Sequence, residues 1–183
     1  MKAVCPGIWY FDELLSLNEC DHILSEVGQS ENWQKSEAGR YHNNSLMEAE
    51  PASYKEDIFI SRSYSLEDFG ILNKFQSMLS SIAENTGIRN LFWSNCAISK
   101  YESGAILPKH KDSNMYDTRR IFTAVVFLND NFDGGELRFE GLDAPFVPRV
   151  GGVVVFISEN FHSVEMVREG TRYSLVVFAE HSR

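Results

Sequence analysis

Cysteine is scarce in this sequence and follows no pattern. The 183 residues include three cysteines, Cys5, Cys20 and Cys96, and no two of them form a Cys-x-x-Cys pair. An odd number at unrelated spacings argues against a disulfide framework and against a cysteine-based metal site. We therefore interpret the three cysteines as incidental thiols of a protein in the reducing cytoplasm.

Positive charge is also in deficit, and long apolar runs are absent. The sequence has 17 Lys and Arg against 26 Asp and Glu, a net charge of -9. An acidic surface repels phosphate backbones and anionic bilayers, so nucleic acid is not an expected partner. No window approaches the roughly 18 apolar residues of a membrane span, and the first residues lack the pattern of a secretory signal. We expect no membrane partner, and the oligomeric state stays open.

Internal repeats, low-complexity tracts and interdomain linkers are missing as well. A chain of 183 residues is long enough to bury a sizeable core, so we expect residues 1–183 to form a single domain. Aromatic residues make up 13% of the sequence. This is a richer aromatic content than the Ala- and Leu-rich mixture of long helical bundles. The composition therefore favours a mixed or β-rich fold.

Two amphipathic helices are predicted in the first half of the chain. The first begins near Asn18 as its N-cap and ends at Gly28, with apolar residues three and four positions apart between them. The second begins with Ser65 and Asp68 as a capping-box-like start and ends at Gly87. The apolar stripes of both helices indicate packing against a core.

The segment between the two helices, Glu31–Asp57, is predicted to be a long loop. It shows no sustained hydrophobic period, is mostly polar and contains a proline. Long loops in compact domains often bind ligands or act as lids. We expect that this loop can close over a ligand, and that residues 1–90 as a whole supply helical support and loop.

Residues 91–183 have the pattern of an antiparallel sheet, because short β-branched and aromatic runs alternate with turn residues. The predicted strands are Leu91–Tyr101, Arg120–Leu128, Glu136–Phe139, Gly152–Ile157 and Arg172–Ala179. The stretch Asn129–Gly135 is predicted to be a hairpin turn. Several strands at short spacing, preceded by helices, favour a mainly β fold with flanking α-helices, arranged as a double-sheet jelly roll.

Residue types that bind divalent cations lie near the ends of these strands. His110 and Asp112 flank Lys111, and a side-chain period of two places both on one face of an extended chain. Such a pair by itself is more often an exposed polar pair in a loop. His162 follows an apolar strand and offers a third ligand. Two histidines and one carboxylate make the facial triad that suits non-haem Fe(II) oxygenases.

Arg172 opens the last apolar strand, where a guanidinium is costly to bury unless it meets an anion. A carboxylate of a small ligand is a suitable anion. Fe(II) with Asp112 carries one net positive charge and Arg172 adds another. A doubly ionised 2-oxoglutarate balances both charges, and chelation by a 2-oxo acid leaves one iron position for dioxygen.

From Tyr101 to Phe178 the sequence resembles the catalytic core of the 2-oxoglutarate- and Fe(II)-dependent dioxygenases, prolyl 4-hydroxylase-like branch. The matching pieces, in order, are Tyr101-Glu102-Ser103-Gly104, His110-Lys111-Asp112, Arg120 with Thr123 before Phe127-Leu128-Asn129, Gly134-Gly135-Glu136-Leu137-Arg138-Phe139, Pro148 with Gly151-Gly152, His162, and Gly170-Thr171-Arg172. The resemblance implies a double-stranded β-helix (cupin-like) fold for residues 91–183, with iron held by His110, Asp112 and His162.

The resemblance also implies roles for other residues. Arg172 would pair with the distal carboxylate of 2-oxoglutarate, and Tyr101 would hydrogen-bond the same cosubstrate. Ser174, on the same strand face as Arg172, either adds a hydroxyl to that carboxylate or bonds to backbone as buried serines ordinarily do. Phe127 stands where animal oxygen-sensing relatives have a carboxylate-binding tyrosine. Thr123 or Ser174 is the candidate to replace the donor that Phe127 lacks.

The implied activity is hydroxylation of an unactivated C–H bond with release of succinate and carbon dioxide. Fe(II), 2-oxoglutarate and dioxygen are the implied cofactor and cosubstrates, and ascorbate is admissible as a reductant. We expect an amino-acid-like substrate: a prolyl or other residue in a peptide, a free amino acid or a small biosynthetic intermediate. Arg120 resembles a position that faces substrate in prolyl hydroxylases, and a structural salt bridge is its equal alternative.

Single residues distinguish the hydroxylase interpretation from other enzymes of the superfamily. Halogenases of the superfamily lose the carboxylate ligand, whereas Asp112 is present. Nucleic-acid demethylases typically carry a second arginine where this chain has Phe178. The alternative from another class is a cupin-like, non-catalytic metal- or ligand-binding module. Such a module would be expected to lose one of the three metal ligands or Arg172, and all four are present.

Overall fold

The computed structural model describes residues 1–28, 30, 33–35, 41–42, 45–46, 58–61, 64–113, 119–147 and 149–182. In chain order the elements are β1 (Lys2–Cys5), β2 (Ile8–Phe11), α1 (Leu17–Gly28), β3 (Gln34–Lys35), β4 (Tyr41–His42), β5 (Ser45–Leu46), β6 (Ile58–Ser61), α2 (Leu72–Thr86), β7 (Leu91–Tyr101), β8 (Leu107–His110), β9 (Arg120–Phe127), β10 (Phe132–Gly134), β11 (Leu137–Phe139), β12 (Val153–Ile157), β13 (His162–Val164), β14 (Val167–Gly170) and β15 (Arg172–His181). Among the described residues, no helix is long and apolar enough to cross a membrane.

Two antiparallel sheets face each other. The larger sheet has eight strands in the order β1-β2-β12-β9-β15-β7-β6-β3, and the smaller sheet has the order β11-β13-β8. Their inner faces share one apolar cluster, in which the rings of Phe139 on the smaller sheet and Phe156 on the larger sheet lie 5.0 Å apart. This arrangement confirms the predicted mainly β fold of jelly-roll type.

The outer face of the larger sheet is covered by the two helices. Because strand side chains alternate, Phe122, Ala124 and Val126 on β9 point toward the helices and join the main core. The Phe75 ring of α2 packs edge-on against Trp93 of β7, and the Trp93 indole N–H donates to the Phe75 carbonyl at 2.8 Å. The opposite face of the larger sheet is therefore free to line the interior between the sheets.

Both helices are present, but their starts differ from the prediction. Ser16, rather than Asn18, caps α1: its hydroxyl accepts from the Glu19 N–H at 3.3 Å, and the Glu19 carboxylate accepts from the Ser16 N–H at 2.8 Å. This reciprocal pair is a capping box, which sequence spacing alone assigned two residues too late.

The second helix begins later than its capping signal. Ser65 and Asp68 do exchange the predicted bonds, since the Ser65 N–H donates to Asp68 at 2.6 Å and the Asp68 N–H donates to the Ser65 hydroxyl at 3.3 Å. They close a separate turn, and α2 begins at Leu72. It ends as predicted at Gly87, whose φ of 74° is left-handed and whose N–H donates to Ala83.

The five predicted strands after residue 90 are confirmed, with ends that differ by at most two residues. The hairpin predicted over Asn129–Gly135 is wrong. β9 pairs with β12 and β15 in the larger sheet, whereas β11 pairs with β13 in the smaller one. The stretch crosses between sheets and contributes β10, which pairs with β14. Glycine and asparagine provide the bends of a crossover here, because consecutive jelly-roll strands change sheets.

The predicted Glu31–Asp57 loop lies largely outside the described residues. Its described parts are Trp33 and the two-residue strands β3, β4 and β5. Trp33 lies against Tyr173, with ring centroids 6.3 Å apart, and under the Lys100 ammonium at 5.2 Å. These contacts hold the start of the segment against the larger sheet, and the expected lid role is a prediction that they do not test.

Candidate metal and cosubstrate site

Strand pairing brings the two predicted histidine ligands together. His110 is the last residue of β8, His162 is the first residue of β13, and the two are direct cross-strand partners. Their ring centroids lie 4.2 Å apart. Asp112 follows β8, and its backbone N–H donates to the Ser158 carbonyl at 2.9 Å. That bond turns the chain after β8 so that the Asp112 carboxylate reaches both imidazoles.

The three side chains form a compact donor set. One ligand atom from each lies within 4.8 Å of the others. The His110 and His162 Nε2 atoms are each 3.5 Å from a different oxygen of Asp112. Two imidazole nitrogens and a carboxylate oxygen match the ligand types of the facial triad of non-haem Fe(II) sites. These residues therefore fit Fe(II).

Backbone carbonyls fix which nitrogen of each histidine is available. The Nδ1 atom of His110 lies 2.8 Å from the Pro108 carbonyl, and that of His162 lies 3.1 Å from the Asn160 carbonyl. A carbonyl only accepts, so each Nδ1 carries the proton. In the neutral ring the lone pair is then on Nε2, which is the atom that faces Asp112.

Electrostatics favour the metal-binding forms of Asp112 and His162 but not that of His110. Burial lowers the pKa of His162 to about 4, so this imidazole is neutral at pH 7. Burial raises the pKa of Asp112, but the neighbouring His162 and His110 outweigh it and hold that pKa below its usual value. Burial lowers the pKa of His110 and contact with Asp112 raises it, with a net upward shift. The site thus holds an ionised carboxylate beside a neutral His162, while that carboxylate favours the protonated form of His110.

Thr123 makes a hydrogen bond to one of the metal-ligand candidates. Its hydroxyl donates to Oδ2 of Asp112 at 2.7 Å and lies 3.0 Å from the Ser158 hydroxyl. Thr123 is fully buried on β9 and faces the metal ligands. The predicted contact of Thr123 with the distal carboxylate of 2-oxoglutarate stays a prediction.

Arg172 is almost fully buried, with 1% of its surface exposed. Its guanidinium carbon lies 5.0 Å from the centroid of the Tyr101 ring and 4.8 Å from that of Phe127. Its Nη1 donates to the Ser174 hydroxyl at 3.1 Å. The Nε and Nη2 atoms have no hydrogen-bond partner among the described residues. Burial lowers the pKa of Arg172. A buried cation with two unused donors is a fitting receptor for a ligand carboxylate.

The space around Arg172 depends on a glycine. Gly135 has φ 65°, a left-handed conformation, and a Cβ atom there would lie 2.9 Å from Cδ of Arg172. Any other residue would push against the arginine side chain. The Gly134-Gly135 pair in the sequence is therefore needed at this position for both backbone conformation and room.

Tyr101, at the end of β7, is the cross-strand partner of Arg172. Burial raises the pKa of Tyr101, while the positive charge of Arg172 lowers it and the negative charge of Asp112 raises it. The phenol therefore lies within electrostatic reach of both the arginine and the metal ligand.

Arg120, the predicted substrate contact, lies at the start of β9. Its Nη1 donates to the Asp112 carbonyl at 3.3 Å, and its guanidinium carbon lies 3.8 Å from the Phe178 ring centroid. Arg120 is thus packed close to the metal ligands, and contact with a substrate remains a prediction.

Sequence analysis missed Ser158. This residue binds the backbone of Asp112 and contacts Thr123, yet it follows β12 in a short turn that carries no motif.

Comparison with known families supports this assembly of residues. Residues 96–180 match the family model of the 2OG-Fe(II) oxygenase superfamily. This range includes all three metal-ligand candidates and Arg172. Mouse prolyl 3-hydroxylase 2 is 37% identical over a 68-residue alignment, which covers 33% of this chain and 10% of that protein. The chain thus spans about a tenth of the length of that relative.

Solved structures share the fold over nearly the whole chain. A Pseudomonas putida prolyl-4-hydroxylase has a TM-score of 0.72 at 21% identity, covering 97% of this chain and 94% of that one. A viral collagen prolyl hydroxylase from Paramecium bursaria Chlorella virus-1, solved as a 2OG complex, has a TM-score of 0.70 at 17% identity, covering 98% and 100%. A Trichoplax adhaerens prolyl hydroxylase, in complex with a peptide fragment of hypoxia inducible factor, has a TM-score of 0.69 at 18% identity, covering 95% and 83%. The chain therefore shares the fold of these prolyl hydroxylases, and its residues 96–180, which include the expected donor set, match the model of the 2OG-Fe(II) oxygenase superfamily.

Proposed function

We propose that this protein is an Fe(II)- and 2-oxoglutarate-dependent dioxygenase that hydroxylates an unactivated C–H bond of an amino-acid-like substrate. When bound, iron supplies the redox chemistry by which dioxygen and 2-oxoglutarate give succinate, carbon dioxide and a hydroxylated substrate. His110, Asp112 and His162 would hold the metal. Arg172 would bind the distal carboxylate of 2-oxoglutarate, with Tyr101 and Ser174 beside it.

This proposal rests on two features of the interior between the sheets: three side chains that can bind a metal, and a buried arginine with two unused donors. The His110, Asp112 and His162 donors converge within 4.8 Å, and Arg172 is 1% exposed with two unused donors. The doubly negative 2-oxoglutarate would neutralise the guanidinium together with the net charge of Fe(II) and Asp112. The chain's residues thus hold, orient and neutralise the cosubstrate and keep it in a water-poor interior.

The substrate class rests on the relatives. One structural relative is named as a collagen prolyl hydroxylase, and another is a prolyl hydroxylase in complex with a peptide. Mouse prolyl 3-hydroxylase 2 shares sequence with the core. We propose a prolyl or other residue in a peptide, a free amino acid or a small biosynthetic intermediate. Arg120, packed on Phe178 beside Asp112, is the proposed substrate contact.

We further propose a cytoplasmic location, given the three free cysteines, and ascorbate as a reductant.

The direct test is turnover. The protein with added Fe(II), 2-oxoglutarate, ascorbate and air is incubated first with free amino acids and then with proline-containing peptides. We expect succinate and a product heavier by one oxygen atom, both absent with His162→Ala. Absence of succinate with every substrate would overturn the activity. A product found only on nucleobases, lipids or sugars would overturn the substrate class and leave the iron chemistry in place.

A further inference from the structure

Two hydroxyl groups form a short hydrogen-bond chain that ends on the Asp112 carboxylate. The Thr123 hydroxyl lies 2.7 Å from Asp112 Oδ2, and the Ser158 hydroxyl lies 3.0 Å from the Thr123 hydroxyl. Thr123 and Ser158 are both fully buried. Neither residue belongs to the donor set itself, so the chain acts on the metal site only through Asp112.

The direction of the chain follows from donor and acceptor chemistry. An ionised carboxylate accepts hydrogen bonds and donates none, so the single hydroxyl proton of Thr123 is directed to Asp112. The Thr123 oxygen must then accept from Ser158, because its own proton is already used. Each bond in such a chain polarises the next and strengthens it. Ser158 therefore supports the bond that Thr123 makes to Asp112.

The same serine also holds the Asp112 backbone. The N–H groups of Asp112 and Ser113 both donate to the Ser158 carbonyl, at 2.9 and 3.0 Å. Ser158 is in turn tied to β9 through its own N–H, which donates to the Ile121 carbonyl at 3.0 Å. Asp112 thus has a fixed backbone and, through Thr123, a fixed side chain, although it lies beyond the end of β8.

The hydroxyl of Thr123 bonds to only one of the two oxygens of the Asp112 carboxylate. Oδ2 accepts from Thr123, whereas Oδ1 lies 3.5 Å from Nε2 of His110, one of the other metal-ligand candidates. A carboxylate with one oxygen held by a hydrogen bond cannot rotate freely, and binding a metal through both oxygens would compete with that bond.

We propose that Thr123, supported by Ser158, is a positioning residue that holds Asp112 in a one-oxygen binding orientation for the metal. This inference rests on the proposed function of the triad as a metal site. It assigns to Thr123 the orientation of a ligand instead of contact with the cosubstrate. Hydrogen-bond partners of metal ligands of this kind typically change metal affinity by about 10- to 100-fold.

The test measures metal affinity without turnover, by titrating the metal-free protein with Co(II) and following the visible absorption of the bound ion. Thr123→Val removes the hydroxyl at nearly constant volume and is expected to weaken Co(II) binding about 10-fold or more. Thr123→Ser keeps a hydroxyl and is expected to stay within about threefold of the wild type, and Ser158→Ala is expected to weaken binding about threefold, as for the loss of one supporting hydrogen bond.

Val125→Ala is the matched control for a loss of stability. Val125 is buried and lies two residues from Thr123 on the same face of β9. Its apolar side chain forms no hydrogen bond with Asp112. It is expected to lower the melting temperature of the metal-free protein and to leave Co(II) affinity unchanged. If Val125→Ala weakens binding as much as Thr123→Val does, general destabilisation explains the effect and the proposal is overturned.

Two further outcomes separate this inference from the proposed function. Wild-type protein that binds neither Co(II) nor Fe(II) would overturn the metal site itself. Wild-type protein that binds Co(II) while Thr123→Val binds it equally well would overturn only the positioning role. If Thr123→Val does not fold, Ser158→Ala decides, because an unchanged affinity in that variant contradicts the hydrogen-bond chain.

Discussion

Ser174 accepts a hydrogen bond from Nη1 of Arg172 at 3.1 Å, and this leaves the Nε and Nη2 edge of the guanidinium without a partner among the described residues. Elsewhere in the molecule, Arg168 uses the same two atoms, Nε and Nη2, to bind both oxygens of Asp133 at 2.6 and 2.8 Å. The edge of Arg172 that Ser174 leaves open is therefore the same edge with which Arg168 binds a carboxylate through two hydrogen bonds.

Arg172→Lys is expected to raise the KM for 2-oxoglutarate by about 10-fold or more, because an ammonium keeps the charge but lacks the planar pair of donors. Steady-state kinetics with varied 2-oxoglutarate check this. Arg168→Lys, the same change at an exposed ion pair, serves as the control and is expected to leave the KM unchanged. An unchanged KM in Arg172→Lys would make Arg172 a structural residue.

Ser174→Ala is expected to free Nη1 and to weaken 2-oxoglutarate binding by about three- to tenfold, through loss of one orienting hydrogen bond. Calorimetric titration of the metal-loaded protein without oxygen measures this affinity. Ser99→Ala removes a hydroxyl directly across the strand pair and is the matched control. Equal losses in both variants would argue against a specific role for Ser174 in orienting Arg172.

Arg172→Met is expected to stabilise the ligand-free protein while abolishing 2-oxoglutarate binding. A buried charge without an anionic partner opposes folding, and its replacement by an apolar side chain of similar length is expected to be neutral or stabilising by about 1–3 kcal/mol. Urea unfolding of metal-free, ligand-free protein provides the measurement. A loss of several kcal/mol would mean that the guanidinium holds the interior together.

Alanine substitution of His110, Asp112 or His162 is expected to abolish metal binding and turnover with only modest loss of stability. His110 and His162 stand at strand ends, Asp112 follows β8, and other residues form the apolar core between the sheets. Metal content after dialysis and thermal unfolding check both parts. His22→Ala, on the exposed side of α1, is the control histidine. Full metal content in any triad variant would remove that residue from the site.

Glu19→Gln is expected to lower the free energy of unfolding by about 1 kcal/mol at pH 7. The Lys74 ammonium at 2.7 Å, followed by the bonds from Ser16, lowers the pKa of Glu19 from 4.5 to about 2. A depressed pKa in the folded state means that this stabilisation is complete above pH 4.5 and is lost as the pH falls toward 2. Urea unfolding between pH 7 and pH 3 checks this; a difference that stays constant with pH contradicts the ion pair.

Secondary-structure elements were easier to predict from the sequence than the contacts between them. The two helices, five of the strands after residue 90 and the metal-ligand candidates were predicted from the sequence, because periodicity and turn chemistry act over a few residues. The crossover at Asn129–Gly135 was mistaken for a hairpin, since the same turn residues serve both and only the sheet in which β11 pairs distinguishes them. Short strands such as β8 and β13 carry too few residues for a period to be visible.

The sequence by itself therefore determined the chemistry available to this protein: two histidines, one aspartate and one arginine at strand ends in a jelly roll. Only the tertiary structure decided their neighbours. His110 meets His162 through strand register, Thr123 of the larger sheet meets Asp112 at the end of the smaller one, and Ser174 binds Nη1 of Arg172. Such contacts join residues far apart in the chain, and the free energy that selects them comes from packing the whole interior rather than from local preference.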